Sequence, residues 1–243
     1  MKKRKKRWFM IGVISLMALV FWLVLNHFPK KEKDLPTKLV SINQPEQSPL
    51  EEKVDLRDWK LILVNQEHPI PEDYEVEVAE IENGYQVDKR ILADLSSMLT
   101  DARKQGLKPW ICSSYRSSAK QTKLFNNKVN QYKQKGYSEQ KAYQEASAWI
   151  AIPKTSEHEI GLSVDIVSKN YQLLDKKQEQ TPEQKWLMEN CHHYGFVMRY
   201  PTEKKQITKI EYEPWHYRYV GVENAKRMKE MGVCLEEYIE FFS

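Results

Sequence analysis

Ser156-Glu157-His158-Glu159-Ile160-Gly161-Leu162-Ser163-Val164-Asp165 sets an imidazole, a glycine and a carboxylate at intervals of three and four residues, just where an apolar run begins. Gly161 permits a turn, so a ligand on a loop (His158) and a ligand on the following strand (Asp165, in the strand predicted over 164–167) can converge. Further on, Glu213-Pro214-Trp215-His216-Tyr217-Arg218-Tyr219-Val220-Gly221 adds a second imidazole with a carboxylate three residues before it. Pro214 disfavours a helix at Glu213, so this is not the helical HExxH arrangement, and the glutamate must approach from an extended segment. A catalytic zinc site needs three protein ligands and an open fourth position for water. His158, Asp165 and His216 supply that number and leave Glu213 free to act as base.

Around these stretches, residues 61–64 read as a short strand and the Pro69/Pro71 stretch as a loop. Residues 88–105 have helical apolar spacing, with Asp88 as cap and Gly106 as stop. Residues 109–115 predict a strand entering a Ser-rich turn. Two helices follow over 118–135 and 138–150, separated by Gly136. Thr181-Pro182-Glu183-Gln184 is a capping box with Pro at the first helical position, opening a helix that reaches about Tyr194. Strands are predicted over 196–200 and 215–220, and a last helix over 223–231 closed by Gly232. Helices and strands intermix without regular βαβ alternation, which favours α+β over a doubly wound fold.

The chain has 243 residues, with 41% apolar and 30% charged, the balance of a globular protein. Six of its 38 basic residues stand at positions 2–7, leaving 32 against 34 acidic ones. The rest is therefore nearly neutral, and no nucleic-acid partner is expected. Residues 8–25 carry no charge, Asn, Gln or Pro and are long enough to cross the hydrocarbon layer. With the basic block before them, the positive-inside rule keeps residues 1–7 in the cytoplasm, makes 8–28 a transmembrane anchor and sends the rest outside. A cleaved signal peptide is the rival reading, but no small-x-small site follows. Residues 29–53, rich in Lys, Glu, Pro, Gln and Ser, have linker chemistry, and the folded domain is expected over 54–243. Cys112, Cys191 and Cys234 form no CxxC pair and read as small apolar residues. Adjacent His192 and His193 point to different faces of a helix, which argues against a joint ligand role.

A third motif, Ser113-Ser114-Tyr115-Arg116-Ser117-Ser118, has Gln121 a turn further on. SSYRSSAKQ, SEHEIGLSVD and EPWHYRYVG, in this order, resemble the three signatures of the VanY-type D-alanyl-D-alanine carboxypeptidase family. Residues 65–74 also resemble that family's N-terminal entry. One departure is Ser163, where the family often has Ala. The resemblance implies a compact Hedgehog/DD-peptidase-type α+β domain with an antiparallel sheet and flanking helices. It implies His158, Asp165 and His216 as Zn²⁺ ligands, Glu213 as catalytic acid/base, and Arg116 as the group that stabilises the substrate carbonyl oxygen as charge builds on it. Ser114, Gln121, Ser156 and Trp215 fall on substrate-pocket positions.

The function so implied is removal of the C-terminal D-Ala from peptidoglycan stem peptides by a metal-activated water, with Glu213 as general base. The expected protein is a single-pass membrane protein and a monomer, with its catalytic domain extracytoplasmic. One alternative keeps the chemistry but acts on tetrapeptide stems, as an L,D-carboxypeptidase. A third enzyme reading cuts within cross-links. A non-catalytic zinc-containing wall-binding module is the reading from another class, and the carboxylate of Glu213 beside the ligands argues against it.

Overall fold

The structure, a computed structural model, describes residues 53–243. The expected tail (1–7), anchor (8–28) and all but the last residue of the linker (29–53) lie outside these. Among the described residues no helix is long and apolar enough to cross a membrane.

A two-stranded antiparallel ribbon, β1 (Val78–Glu80) and β2 (Gln86–Asp88), leads into helix α1 (Leu92–Lys104). Strand β3 (Pro109–Ser113) is followed by the helix pair α2 (Ser118–Gln134) and α3 (Glu139–Ser147). A 3₁₀ turn (Glu157–Ile160) opens onto β4 (Ser163–Ser168), and α4 (Pro182–Asn190) precedes β5 (Phe196–Tyr200). The one-turn helix α5 (Lys205–Thr208), strand β6 (Glu213–Tyr219) and helices α6 (Val222–Met231) and α7 (Leu235–Phe242) complete the domain. The main sheet has the order β3-β4-β6-β5, antiparallel throughout. The expected α+β class with an antiparallel sheet and flanking helices is what forms.

Alternation along the central strands divides the sheet into a core face and a site face. Val164 and Ile166 of β4 and Tyr217 and Tyr219 of β6 pack with Leu95, Met98 and Leu99 of α1 and Leu187 of α4. Tyr217 and Tyr219 are therefore core residues, and each buried hydroxyl has an acceptor: Gln184 Oε1 at 2.6 Å and Asp94 Oδ2 at 2.7 Å. The opposite face carries Asp165 from β4 and His216 and Arg218 from β6.

Local chemistry explains most element boundaries. Asp88, Ser117, Ser138 and Thr181 accept hydrogen bonds from backbone N–H groups of the turns they open. The helix expected from residue 88 begins as a 3₁₀ turn (Lys89–Ile91), and the one expected to reach Tyr194 tightens into a 3₁₀ turn (Cys191–Tyr194). Gly232 ends α6 in the left-handed region, at φ 66°. All three cysteines are free; Cys191 and Cys234 are buried as small apolar residues.

Residues 61–64 do not form the expected strand. A 3₁₀ turn (Trp59–Leu61) stands there, and Arg218 Nη2 donates to Lys60 O at 3.1 Å and to Ile62 O at 2.8 Å. A buried guanidinium takes the carbonyls that a sheet partner would have used. Helix α7 and the β1–β2 ribbon were not anticipated.

Candidate metal centre and active site

The β4–β6 register places Asp165 opposite His216. His158 arrives from the 3₁₀ turn before β4, and Gly161 ends that turn at φ 71°. A Cβ on Gly161 would stand 2.8 Å from the Asp88 amide nitrogen, so both the conformation and the space require glycine. Asp88 N donates to Gly161 O, and Arg116 N donates to His158 O, pinning the turn to the end of β2 and to the segment after β3. As expected, Glu213 lies on an extended segment, the start of β6.

Glu213 and His216 are an odd number of residues apart, so a regular strand would put them on opposite faces. The β5–β6 pairing shifts between Met198 and Tyr200, with Met198 opposite Tyr217 but Tyr200 opposite Glu213. This bulge brings Glu213 Oε2 to 3.7 Å from His216 Nδ1. His216 Nδ1 is also 3.1 Å from Asp165 Oδ1, and His158 Nε2 is 3.4 Å from Asp165 Oδ2.

One ligand atom from each of His158, Asp165 and His216 lies within 4.8 Å of the others, and all three residues are buried. The side chains fit a single divalent cation. His158 Nε2 and Asp165 Oδ1, both buried at the centre of the triangle, have no hydrogen-bond partner, a cost that a shared cation removes. The distal ring nitrogens are held. His158 Nδ1 sits 2.9 Å from Ser114 O, and His216 Nε2 sits 3.3 Å from Glu157 Oε2, the outer support that aims metal-ligating imidazoles. Two nitrogens, one carboxylate oxygen and an open side match zinc in donor type and number.

Electrostatics agree with this arrangement. Burial, helped by the Arg116 charge, pushes His158 down to about 4, so its ring is neutral with a lone pair available. Burial opposes protonation of His216, but the carboxylates of Asp165 and Glu157 beside it outweigh that and hold the ring up to about 9. The site thus attracts positive charge at Nδ1. Burial raises Glu213 to about 8, with the Asp165 charge adding to the rise and those of His216 and Arg116 opposing it.

Arg116 follows β3 and reaches the same site, with Nη2 3.8 Å from Asp165 Oδ2. Its Nη1 donates to Gln121 Oε1 at 2.8 Å, and Gln121 Nε2 donates to Ala151 O at 2.6 Å. Gln121 is fully buried with both ends of its amide engaged, so it orients the guanidinium. Ser114 is buried; its Oγ accepts from Gln86 N and its carbonyl faces His158. Ser156 and Trp215 line the cleft that opens over the three candidate ligands, a hollow of about 400 Å³. A hollow of similar volume, about 420 Å³, lies against α7 near Asn65 and Glu236, away from the metal-ligating group.

The sequence reading missed Glu157. It is fully buried, accepts from Arg199 Nε at 2.7 Å and Arg218 Nη1 at 2.8 Å, and faces His216 through its other oxygen. Arg199 in turn holds Glu236 of α7 through two hydrogen bonds of 2.7 and 2.6 Å. Strand alternation puts Arg218 on the same face as His216, the one sequence signal pointing to this network. His192 and His193 stack with ring centroids 4.0 Å apart and belong to no metal-ligating cluster among the described residues.

Residues 84–222 match the family model VanY, D-alanyl-D-alanine carboxypeptidase, and that span contains the three candidate ligands with Glu213, Arg116 and Glu157. The chain belongs to this family. It is an enzyme of the carboxypeptidase class. A D-alanyl-D-alanine carboxypeptidase of Enterococcus faecalis is 42% identical over 198 residues, covering 80% of this chain and 72% of that one. Among solved structures, a VanY vancomycin-resistance D,D-pentapeptidase in complex with Zn(II) is 42% identical with a TM-score of 0.69, covering 75% of this chain and 99% of that one. The LD-carboxypeptidase LdcB is 35% identical with a TM-score of 0.63, covering 74% and 86%.

Proposed function

We propose that this protein is a zinc-dependent D,D-carboxypeptidase that removes the terminal D-Ala from peptidoglycan stem peptides. The carrying observation is the convergence of His158, Asp165 and His216 on one point, with Glu213 beside His216 and Arg116 beside Asp165. The VanY relative with Zn(II) and the 42% identity to a D-alanyl-D-alanine carboxypeptidase support the metal and the substrate class.

His158 Nε2, an Asp165 carboxylate oxygen and His216 Nδ1 would hold the cation. When bound, zinc supplies a Lewis acid that makes water nucleophilic near neutral pH. Glu213 takes a proton from that water and later delivers it to the leaving amine, work suited to a carboxylate whose burial raises its proton affinity. Arg116, fixed by Gln121, directs its guanidinium at the carbonyl oxygen as negative charge develops there. Ser156 and Trp215 shape the floor of the cleft around the terminal residue. An N-terminal anchor and the linker after it would place the domain outside the cell, within reach of wall substrates.

Mass spectrometry of pentapeptide and tetrapeptide stems incubated with the zinc-loaded full chain tests this. Loss of one alanine from the pentapeptide is expected. Loss from the tetrapeptide alone would assign L,D-specificity, as in LdcB, and loss from neither would sink the enzymatic reading.

A further inference from the structure

The cleft over the candidate ligands continues along α2, and that wall carries two lysines. Lys120, Leu124 and Lys128 lie at i, i+4 and i+8 on α2, and all three line the cleft. The adjoining face of the same helix turns Gln121 and Phe125 into the protein. Further along the helix pair, Lys133 is paired with Glu139 and Lys141 with Glu145. Neither Lys120 nor Lys128 has a carboxylate within ion-pair distance among the described residues. Lys128 is half-buried all the same, with Nζ 5.7 Å from the Trp149 ring centroid and 5.7 Å from that of Tyr132. Trp149 and Leu124 remain 37% and 38% exposed, so the apolar part of this wall is uncovered.

Burial lowers the Lys128 ammonium, the Lys135 charge lowers it further, and only Glu213 favours it. A cation held in a cleft over an aromatic ring, without its own counter-ion, is poised to accept one from a ligand. The spacing sets the ligand's length. Eight residues of helix rise about 12 Å, which an extended peptide covers with three to four residues at about 3.3–3.6 Å each.

We propose that Lys120, Leu124 and Lys128, with Trp149, form the subsite for the acyl-side part of the peptide, and that Lys128 selects substrates carrying a free carboxylate there. This rests on the carboxypeptidase reading above. In a wall peptide the carboxylate has two sources: the α-carboxylate left free by a γ-linked glutamate, or the second carboxylate of a diaminopimelate side chain. Leu124 and Trp149 cover the aliphatic stems on either side of it.

The test uses the zinc-loaded full chain and four pentapeptides, with γ-linked glutamate or its amide at the second position and lysine or diaminopimelate at the third. Diacetyl-Lys-D-Ala-D-Ala serves as a short reference. The wild-type protein is expected to prefer the carboxylate-bearing peptides by about 10-fold in kcat/KM, through KM, as for a charge-assisted hydrogen bond. The second and third positions separate the two sources. Lys128→Met should erase the preference and Lys128→Glu should invert it. Equal handling of all four peptides by the wild type overturns the proposal. So does a Lys128→Met loss on the short reference as large as that on the acidic peptides. Calorimetric binding of the same peptides to Glu213→Gln protein gives the preference without turnover. If the wild type cleaves nothing, the carboxypeptidase reading fails, and the binding preference with its response to Lys128→Met still decides the subsite.

Discussion

Glu157 Oε2 lies 3.3 Å from His216 Nε2, while its other oxygen accepts from Arg199 and Arg218. The carboxylate fixes which ring nitrogen carries hydrogen. With Nε2–H directed at Glu157, Nδ1 is the nitrogen that faces Asp165 and Glu213 and would give up its proton to a bound cation. The two arginines hold Glu157 ionised against full burial, well below the usual carboxylate range.

Glu157→Gln should therefore weaken zinc binding about 10–100-fold, the usual cost of losing such an outer partner. Competition with a chromophoric chelator, at a temperature where both proteins remain folded, measures it. Unchanged affinity would remove Glu157 from the metal centre.

Glu213→Gln should keep stoichiometric zinc and lose turnover by about 10²–10⁴-fold, the contribution expected of a general acid/base. Elemental analysis and a D-Ala release assay on the same sample separate the two effects. Loss of metal together with activity would make Glu213 a ligand instead of a base.

Arg116→Ala should cost about 10²–10³-fold in kcat, as for removal of one oxyanion donor. Arg116→Lys should not restore it, because an ammonium gathers its donors at one atom and lacks the planar fork that spans Gln121 and the substrate. Gln121→Ala should give a smaller loss in kcat with the guanidinium still present. If Gln121→Ala instead raised KM alone, Gln121 would be reading substrate directly.

Stability should depend on pH through Glu236. Burial raises its proton affinity, but the Arg199 charge and hydrogen bonds outweigh that and hold its folded pKa below the ordinary value. The unfolded chain binds this proton more readily, so the stabilisation is complete above the unfolded value of about 4.3 and is lost as pH falls through the depressed folded value. The melting-temperature gap between wild type and Glu236→Gln should be wide above about pH 5 and close on acidification. A gap independent of pH would show that the Arg199 pairing contributes only shape.

Much of the site was legible because its chemistry is local. Gly161 signalled a turn, Pro214 ruled out a helix, and the positions of His158, Asp165, Glu213 and His216 needed only a sheet to bring them together. The resemblance added Arg116, which spacing alone could not connect to residues more than forty positions away. The rest depended on tertiary partners. Glu157 looked like any polar neighbour of a histidine until Arg199, Arg218 and Glu236 enclosed it. Residues 61–64 have strand-like composition, yet Arg218 takes the carbonyls of Lys60 and Ile62. The three-residue strands β1 and β2 are too short to leave a periodic signal. Gln121 was expected against substrate from its family position; its two amide bonds became visible only in three dimensions.

The bulge between β5 and β6 has a consequence for how this chain tolerates change. From His216 to Tyr219, odd and even positions are committed to different tasks, catalytic support on one side and cohesion on the other, and the irregularity before them lets Glu213 and Trp215 join the catalytic side. Amino-acid replacements along β6 therefore act one at a time. Deleting a single residue between Glu213 and His216 would remove the irregularity and displace the Glu213 carboxylate relative to the His216 ring, while Tyr217 and Tyr219 beyond it kept their inward face. Lineages of this domain should accept length changes in loops such as 169–175, but not here.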